Sequence, residues 1–405
     1  MVALAVWYPR KMKISNGVLP LLPASGHPLV NLALQGGGSH GAFTWGVLDA
    51  LLEDGRIDIE GISGTSAGAM NAVVLAHGLV SAPGQSRFAR HEAARQALAT
   101  FWNGIVDLGT VSSSLSKSLS LWQRAPFNVL LGQLGGGIWS ASRWTDELTR
   151  YWSGSVSPYQ SNPLDINPLK DFLASQVDFE RLAAHPYPAT PKVFVVATRV
   201  STGKAEVFSG PRLTADAVMA SACLPMVFQA VEIEGDHFWD GGYTGNPALH
   251  PLLYECRSRD IMLVQINPIR RDKLPTQPGE IADRVNEITF NAGLVAEMRA
   301  IDFVKRLLAE GKLEASQYKD VLMHRIDGGE VLGGYSASTK ASTDAGLIHA
   351  LRDLGRLCAG QWLARRYAML GVECSVDIAR DYLDDLRLPV ERATAAPKRK
   401  QPVLD

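Results

Sequence analysis

Leu29-Val-Asn-Leu-Ala-Leu34 runs straight into Gln35-Gly-Gly-Gly-Ser-His-Gly41, and further on Ile57-Asp-Ile-Glu-Gly-Ile62 runs into Ser63-Gly-Thr-Ser-Ala-Gly68. Each apolar run is the length of a buried strand, and each ends in small residues that permit a sharp turn. After the first turn, Phe43, Val47, Leu48, Leu51 and Leu52 recur at helical spacing, with Gly55 as a stop. After the second, Ala69, Val73, Val74 and Ala76 do the same, with an end expected near Gly78. Two strand-turn-helix units in succession predict a mostly parallel sheet covered by helices, hence the α/β class.

Outward from this core, further strands are expected over 193–200, 205–208, 230–233 and 261–266, with helices over 214–222, 281–310 and 343–366. Residues 1–27 read as an irregular lead-in, 28–255 as the main α/β domain, 256–395 as strands and helices packed on it, and 396–405 as a frayed tail. Within the main domain, 102–165 loosens into Ser, Gly and Pro yet holds Trp102, Trp122, Phe127, Leu131, Trp139, Trp144 and Trp152. Such a segment either packs a helical subdomain on the sheet or forms a lipid-facing lip.

Bulk properties narrow the function. Forty Lys and Arg stand against 41 Asp and Glu in 405 residues, which leaves no electrostatic footprint for nucleic acid. The four cysteines are scattered, at neither metal nor disulfide spacing, and read as reduced thiols. The apolar N-terminal run precedes its charges and lacks a cleavage site, and no stretch has the ~20 apolar residues of a membrane span. A cytoplasmic protein, with peripheral contact at the inner membrane surface left open, is the expectation.

Gly64-Thr-Ser66-Ala-Gly68 fits G-x-S-x-G, in which small flanking residues let a tight strand-to-helix turn expose the serine hydroxyl at a helix N-terminus. Gly36, Gly37 and Gly38 can present unobstructed backbone N–H groups, as an oxyanion hole or a phosphate cradle requires. The same loop satisfies G-x-G-x-x-G, with Asp58 and Glu60 at the distance a dinucleotide fingerprint asks, so a dinucleotide-binding reading stands beside the hydrolase one. Asp240, in His237-Phe-Trp-Asp-Gly-Gly-Tyr-Thr-Gly-Asn-Pro247, follows an expected hairpin; its Asp-Gly pair is first a turn signal. His250, His324 and His349 follow it, so chain order also allows a serine, acid, histidine triad.

Taken together, GGGSHG, then GTSAG, then SACLPMVFQAV leading to WDGGYTGNPAL, resemble the patatin-like phospholipase family, specifically its bacterial soluble branch, over roughly residues 29–250. The resemblance implies a three-layer α/β fold and a lipid or acyl-ester substrate. It implies a serine-aspartate dyad of Ser66 and Asp240 with an oxyanion hole at Gly36, Gly37 and Gly38, and neither metal nor organic cofactor. Acyl transfer, thioester or polyester hydrolysis would use the same dyad, and a non-catalytic lipid-binding role is the alternative outside catalysis. Relatives usually carry Arg or Lys where this chain has His40.

Overall fold

The computed structural model describes residues 26–82, 84, 86–122, 157–162, 165 and 167–383. Most of the lead-in, the aromatic stretch from Phe127 to Trp152 and the tail lie outside the described residues. Eight strands form one mixed sheet: β1 (Leu29–Leu34), β2 (Asp58–Gly64), β3 (Lys192–Arg199), β4 (Lys204–Ser209), β5 (Val231–Ile233), β6 (Asp236–Asp240), β7 (Asp260–Gln265) and β8 (Leu322–Asp327). The order is β5-β6-β3-β2-β1-β7-β8, with β4 paired to β3; β3, β2, β1, β7 and β8 are mutually parallel.

The strands alternate as a two-faced sheet demands. Val30, Leu32 and Leu34 of β1, with Met262 and Val264 of β7, enter one apolar core; Ala33, Ile261 and Leu263 enter the other. The first core is closed by α1 (Gly41–Asp54), α2 (Ala67–Ser81), α3 (Arg87–Trp122), α4 (Ala215–Ser221) and, across α1, α7 (Ala345–Arg366). The second is closed by α5 (Pro278–Ala309), through Leu294, Met298 and Ile301. A short helix, α6 (Gly329–Gly333), follows β8. The result is the three-layer α/β arrangement expected, with the two long C-terminal helices on opposite faces of the sheet.

Two local expectations change. Helix α2 runs past Gly78 to Ser81. Gly78 is there for packing: a Cβ would lie 2.4 Å from Ala94 Cα in α3. Trp102 lies in α3, buried, its Nε1 donating to Asn71 Oδ1 at 3.0 Å. It is therefore core and no part of a lip.

Candidate active site

The parallel strands end at one edge, and the site is built there. Strand β4 occupies one side of β3 along Phe194–Arg199, so β2 and β6 must share the other. Strand β2 pairs with Lys192–Val195 there, and β6 with Ala197–Arg199 from the opposite direction. Gly64 opposes Val195 and Asp240 opposes Ala197, so the chain ends carrying Ser66 and Asp240 face each other across the gap. The Ser66 side chain lies close enough to the Asp240 carboxylate there to favour its charged form.

Ser66 is the N-cap of α2, with φ 54° and ψ −123°, a conformation L-residues rarely hold. Its backbone N–H donates to Ser221 Oγ at 2.9 Å, and Thr65 Oγ1 donates to Gly245 O at 2.7 Å, so both sides of the turn are fastened. Asn71, one turn into α2, donates to the carbonyls of Gly41 and Ala67 at 3.0 Å and ties the starts of α1 and α2 together. Strain in the turn is thus held by its surroundings, and the hydroxyl is left half-exposed at a helix N-terminus.

Asp240 is 1% exposed. Its Oδ1 accepts from Gly242 N at 2.7 Å, its backbone N donates to Cys223 O at 2.7 Å, and its carbonyl accepts from Thr198 Oγ1 at 2.8 Å. Burial raises its pKa to about 7, against the opposing hydrogen bonds from Gly242 N and Ser66. A carboxylate with that pKa is a stronger base than an exposed one and is still ionised in about half of the molecules at neutral pH.

The glycine loop crosses the same edge. Gly36 N donates to Asn246 Oδ1 at 2.6 Å and Gly36 O accepts from Asn267 Nδ2 at 2.8 Å, so both its polar groups anchor the loop. The amides of Gly37 and Gly38 have no hydrogen-bond partner among the described residues, and neither has that of Ala67, the first residue of α2. Gly38 has φ 57°, and a Cβ on it would sit 2.2 Å from Lys340 O. At Gly36 a Cβ would stand 2.6 Å from Thr65 O and 2.8 Å from Ser66 Cβ. Gly36→Ala should therefore push the loop off the elbow, cutting kcat about a hundredfold and stability by roughly 1–3 kcal/mol. Ester hydrolysis and thermal unfolding of the variant check this.

Beneath the loop lies a polar layer. Gln35 Nε2 donates to Asn291 Oδ1 at 2.9 Å, and Gln35 Oε1 accepts from the amides of Ile266 and Asn267 at 2.8 Å. Asn267 Oδ1 accepts from Lys340 Nζ at 2.7 Å. Burial brings this lysine down to about 8. Lys340→Met would strand the fully buried Asn267 carbonyl, and we expect about 1–3 kcal/mol of lost stability with a several-fold fall in kcat. Parallel melting curves and turnover rates measure both.

His40 is buried, its Nε2 2.7 Å from Thr339 Oγ1. Burial, reinforced by the Lys340 charge, lowers it to about 3. It is therefore uncharged throughout the physiological range, and the cation beside the loop is Lys340.

Three histidines stand elsewhere. His324 is fully buried, 2.9 Å from Asp260 Oδ1 and 3.2 Å from Ser375 Oγ; Asp260 opens β7 and so lies at the edge opposite Ser66. His349 contacts Asn103 Oδ1 at 3.1 Å, and His250 is 3.7 Å from Glu297. None bonds to Ser66 or Asp240. The acidic pair of the dinucleotide pattern is also far from the glycine loop, among the first residues of β2. There Glu60 accepts from the amides of Arg257 and Ser258 at 2.8–2.9 Å, and Asp58 pairs with Arg87 at 2.7 Å. Neither can meet a ribose beside Gly36–Gly38.

A cavity of about 660 Å³ opens among Tyr159, Met219, Cys223, Phe228 and His237. Ser66 and Asp240 do not line it; Cys223, whose carbonyl takes the Asp240 amide, is the residue common to both. Burial pushes the Cys223 thiol up to about 12, which leaves it a packing residue. Sequence reasoning missed Ser221, Asn246, Asn267 and Lys340, although Asn246 stood in the motif around Asp240.

A family model described as patatin-like phospholipase matches residues 32–253. No curated protein matches the chain. Among solved structures, the crystal structure of VipD from Legionella pneumophila is similar at 18% identity and a TM-score of 0.39, the match covering 84% of this chain and 67% of that one.

Proposed function

The chain belongs to the patatin-like phospholipase family, and from that premise we propose that it hydrolyses acyl esters of lipids with Ser66 as nucleophile and Asp240 as base. The observation that carries this reading is Ser66, at the head of α2, facing the sealed, high-pKa carboxylate of Asp240 across the gap between β2 and β6. Asp240 takes the hydroxyl proton as Oγ attacks the acyl carbonyl. The oxyanion is held by the amides of Gly37, Gly38 and Ala67, with the positive end of α2 behind them. Gly36, whose amide is bound by Asn246, positions the loop and donates nothing to the oxyanion.

Collapse of the tetrahedral species breaks the ester C–O bond, and the proton on Asp240 passes to the departing alkoxide. Water then enters and gives a proton to Asp240 as its oxygen attacks the acyl carbon; collapse of this second tetrahedral species breaks the acyl–Oγ bond, the proton on Asp240 passes to Ser66 Oγ, and the fatty acid departs. No histidine is needed, because a carboxylate held at about pKa 7 has the basicity usually supplied by imidazole. A p-nitrophenyl ester series from short to long acyl chains tests the reading. Hydrolysis that rises with chain length supports a lipid acyl hydrolase, and no hydrolysis of any ester overturns it.

A further inference from the structure

Helix α5 runs past the ends of the strands it packs on. At Asn291 it is level with the strand ends, since Asn291 bonds Gln35 at the end of β1 and Pro268 O after β7. Beyond that point Leu294, Met298 and Ile301 descend along the sheet, and Lys305 reaches Asp320 and Val321 O beside the start of β8. The turns from Pro278 to Thr289 therefore project past the sheet on the Ser66 side, by roughly 18 Å at 1.5 Å per residue.

What this projection exposes is apolar. Ile281, Val285 and Ile288 are 46%, 43% and 54% exposed. At 100° per residue they fall within about 60° of one another and opposite Phe290, which is buried against Gly242 and Tyr243 beside Asp240. Leu274, 78% exposed, precedes the helix, and Val331, 61% exposed, belongs to α6, whose end at Gly333 is tied to α5 through Arg271. Arg271 holds the two together, donating to Gly333 O and pairing with Glu287 at 2.5 Å. Among the described residues, other exposed large apolar side chains, such as Phe88, Tyr254 and Val372, belong to other parts of the chain.

We infer that Leu274, Ile281, Val285, Ile288 and Val331 form the surface by which the enzyme seats on a zwitterionic lipid surface, with the catalytic edge turned toward its substrate. This rests on the lipid acyl hydrolase reading of the Ser66 edge. Three observations favour a lipid surface over a second copy of the chain. The five side chains expose on the order of 500 Å², less than the ~800 Å² each partner gives to a stable dimer. The patch shares its edge with the nucleophile. Charge over residues 270–289 is balanced, four basic to four acidic, so attachment is through apolar insertion and not attraction to anionic headgroups.

The test uses the full chain carrying Ser66→Ala, so that vesicles are not consumed, with and without Ile281→Gln, Val285→Gln and Ile288→Gln together. Flotation with phosphatidylcholine vesicles should show binding by the parent, insensitive to salt, and binding weaker by about tenfold or more in the triple variant. In the Ser66 background the triple variant should hydrolyse a short soluble ester within twofold of wild type and lose most of its rate on vesicles. Equal vesicle binding by parent and variant, or no binding by the parent, overturns the inference; so does a concentration-dependent dimer that the triple variant abolishes. If vesicle binding depends on the three residues while no ester is ever cleaved, the surface stands and the hydrolase reading falls.

Discussion

Ser66→Ala is expected to lower kcat on a short p-nitrophenyl ester by at least about a thousandfold while leaving the melting temperature nearly unchanged. The side chain is half-exposed and its backbone amide, not its hydroxyl, is what fastens the turn to Ser221. Removal of one oxygen therefore deletes the nucleophile without deleting support. Alanine must still adopt φ 54°, as serine does, so the elbow keeps its strain. Activity within tenfold of wild type would remove Ser66 from the mechanism.

Asp240→Asn should cost nearly as much, on the order of 10³–10⁴ in kcat, because an amide cannot take the hydroxyl proton. Its effect on stability should have the opposite sign. Asp240 is raised from 3.8 to about 7 in the folded protein, so folding favours its neutral form. Stability from this group is complete below the unfolded pKa near 4, falls as pH rises toward 7, and is lost above it. Three pKa units correspond to roughly 4 kcal/mol at pH 8. The asparagine variant escapes that penalty, so it should melt above wild type at pH 8, with the gap closing as pH falls toward 4. In wild type the same ionisation gives kcat/KM an acid limb near pH 7. An inactive variant whose margin of stability over wild type is no larger at pH 8 than at pH 4 would contradict the assignment of this buried charge.

The two strand-turn-helix units were legible in the sequence because each carries its own punctuation. Apolar runs end in glycines that cannot be replaced without backbone collision, as at Gly36, and Gly55 stops α1 at φ 70°. Strand β8 was missed. Val-Leu-Met-His-Arg-Ile-Asp (321–327) mixes charge into its run because Arg325 pairs with Asp327 and Asp381, and His324 is satisfied by Asp260. The dyad was legible as two motifs, but their meeting was not. It depends on β2 and β6 sharing one side of β3, a long-range register that no local pattern records. The loop's supports were hidden for the same reason. Asn246, Asn267, Asn291 and Lys340 lie more than 200 residues from Gly36 along the chain, and each is an ordinary polar residue until the fold brings it beneath the glycines.

Three separate segments thus converge on one edge. The glycine loop and the elbow come from the first strands, the base from the β5–β6 hairpin, and the support from the stretch beyond β7. The central claim is that this convergence makes Ser66 a nucleophile dependent on Asp240. Its most direct test is intact-mass and peptide-level mass spectrometry after exposure to a fluorophosphonate, on wild type and Asp240→Asn side by side. The account predicts a single adduct at Ser66, formed rapidly in wild type and far more slowly in the variant. An adduct at another residue, no adduct, or equal labelling rates in the two proteins would contradict it.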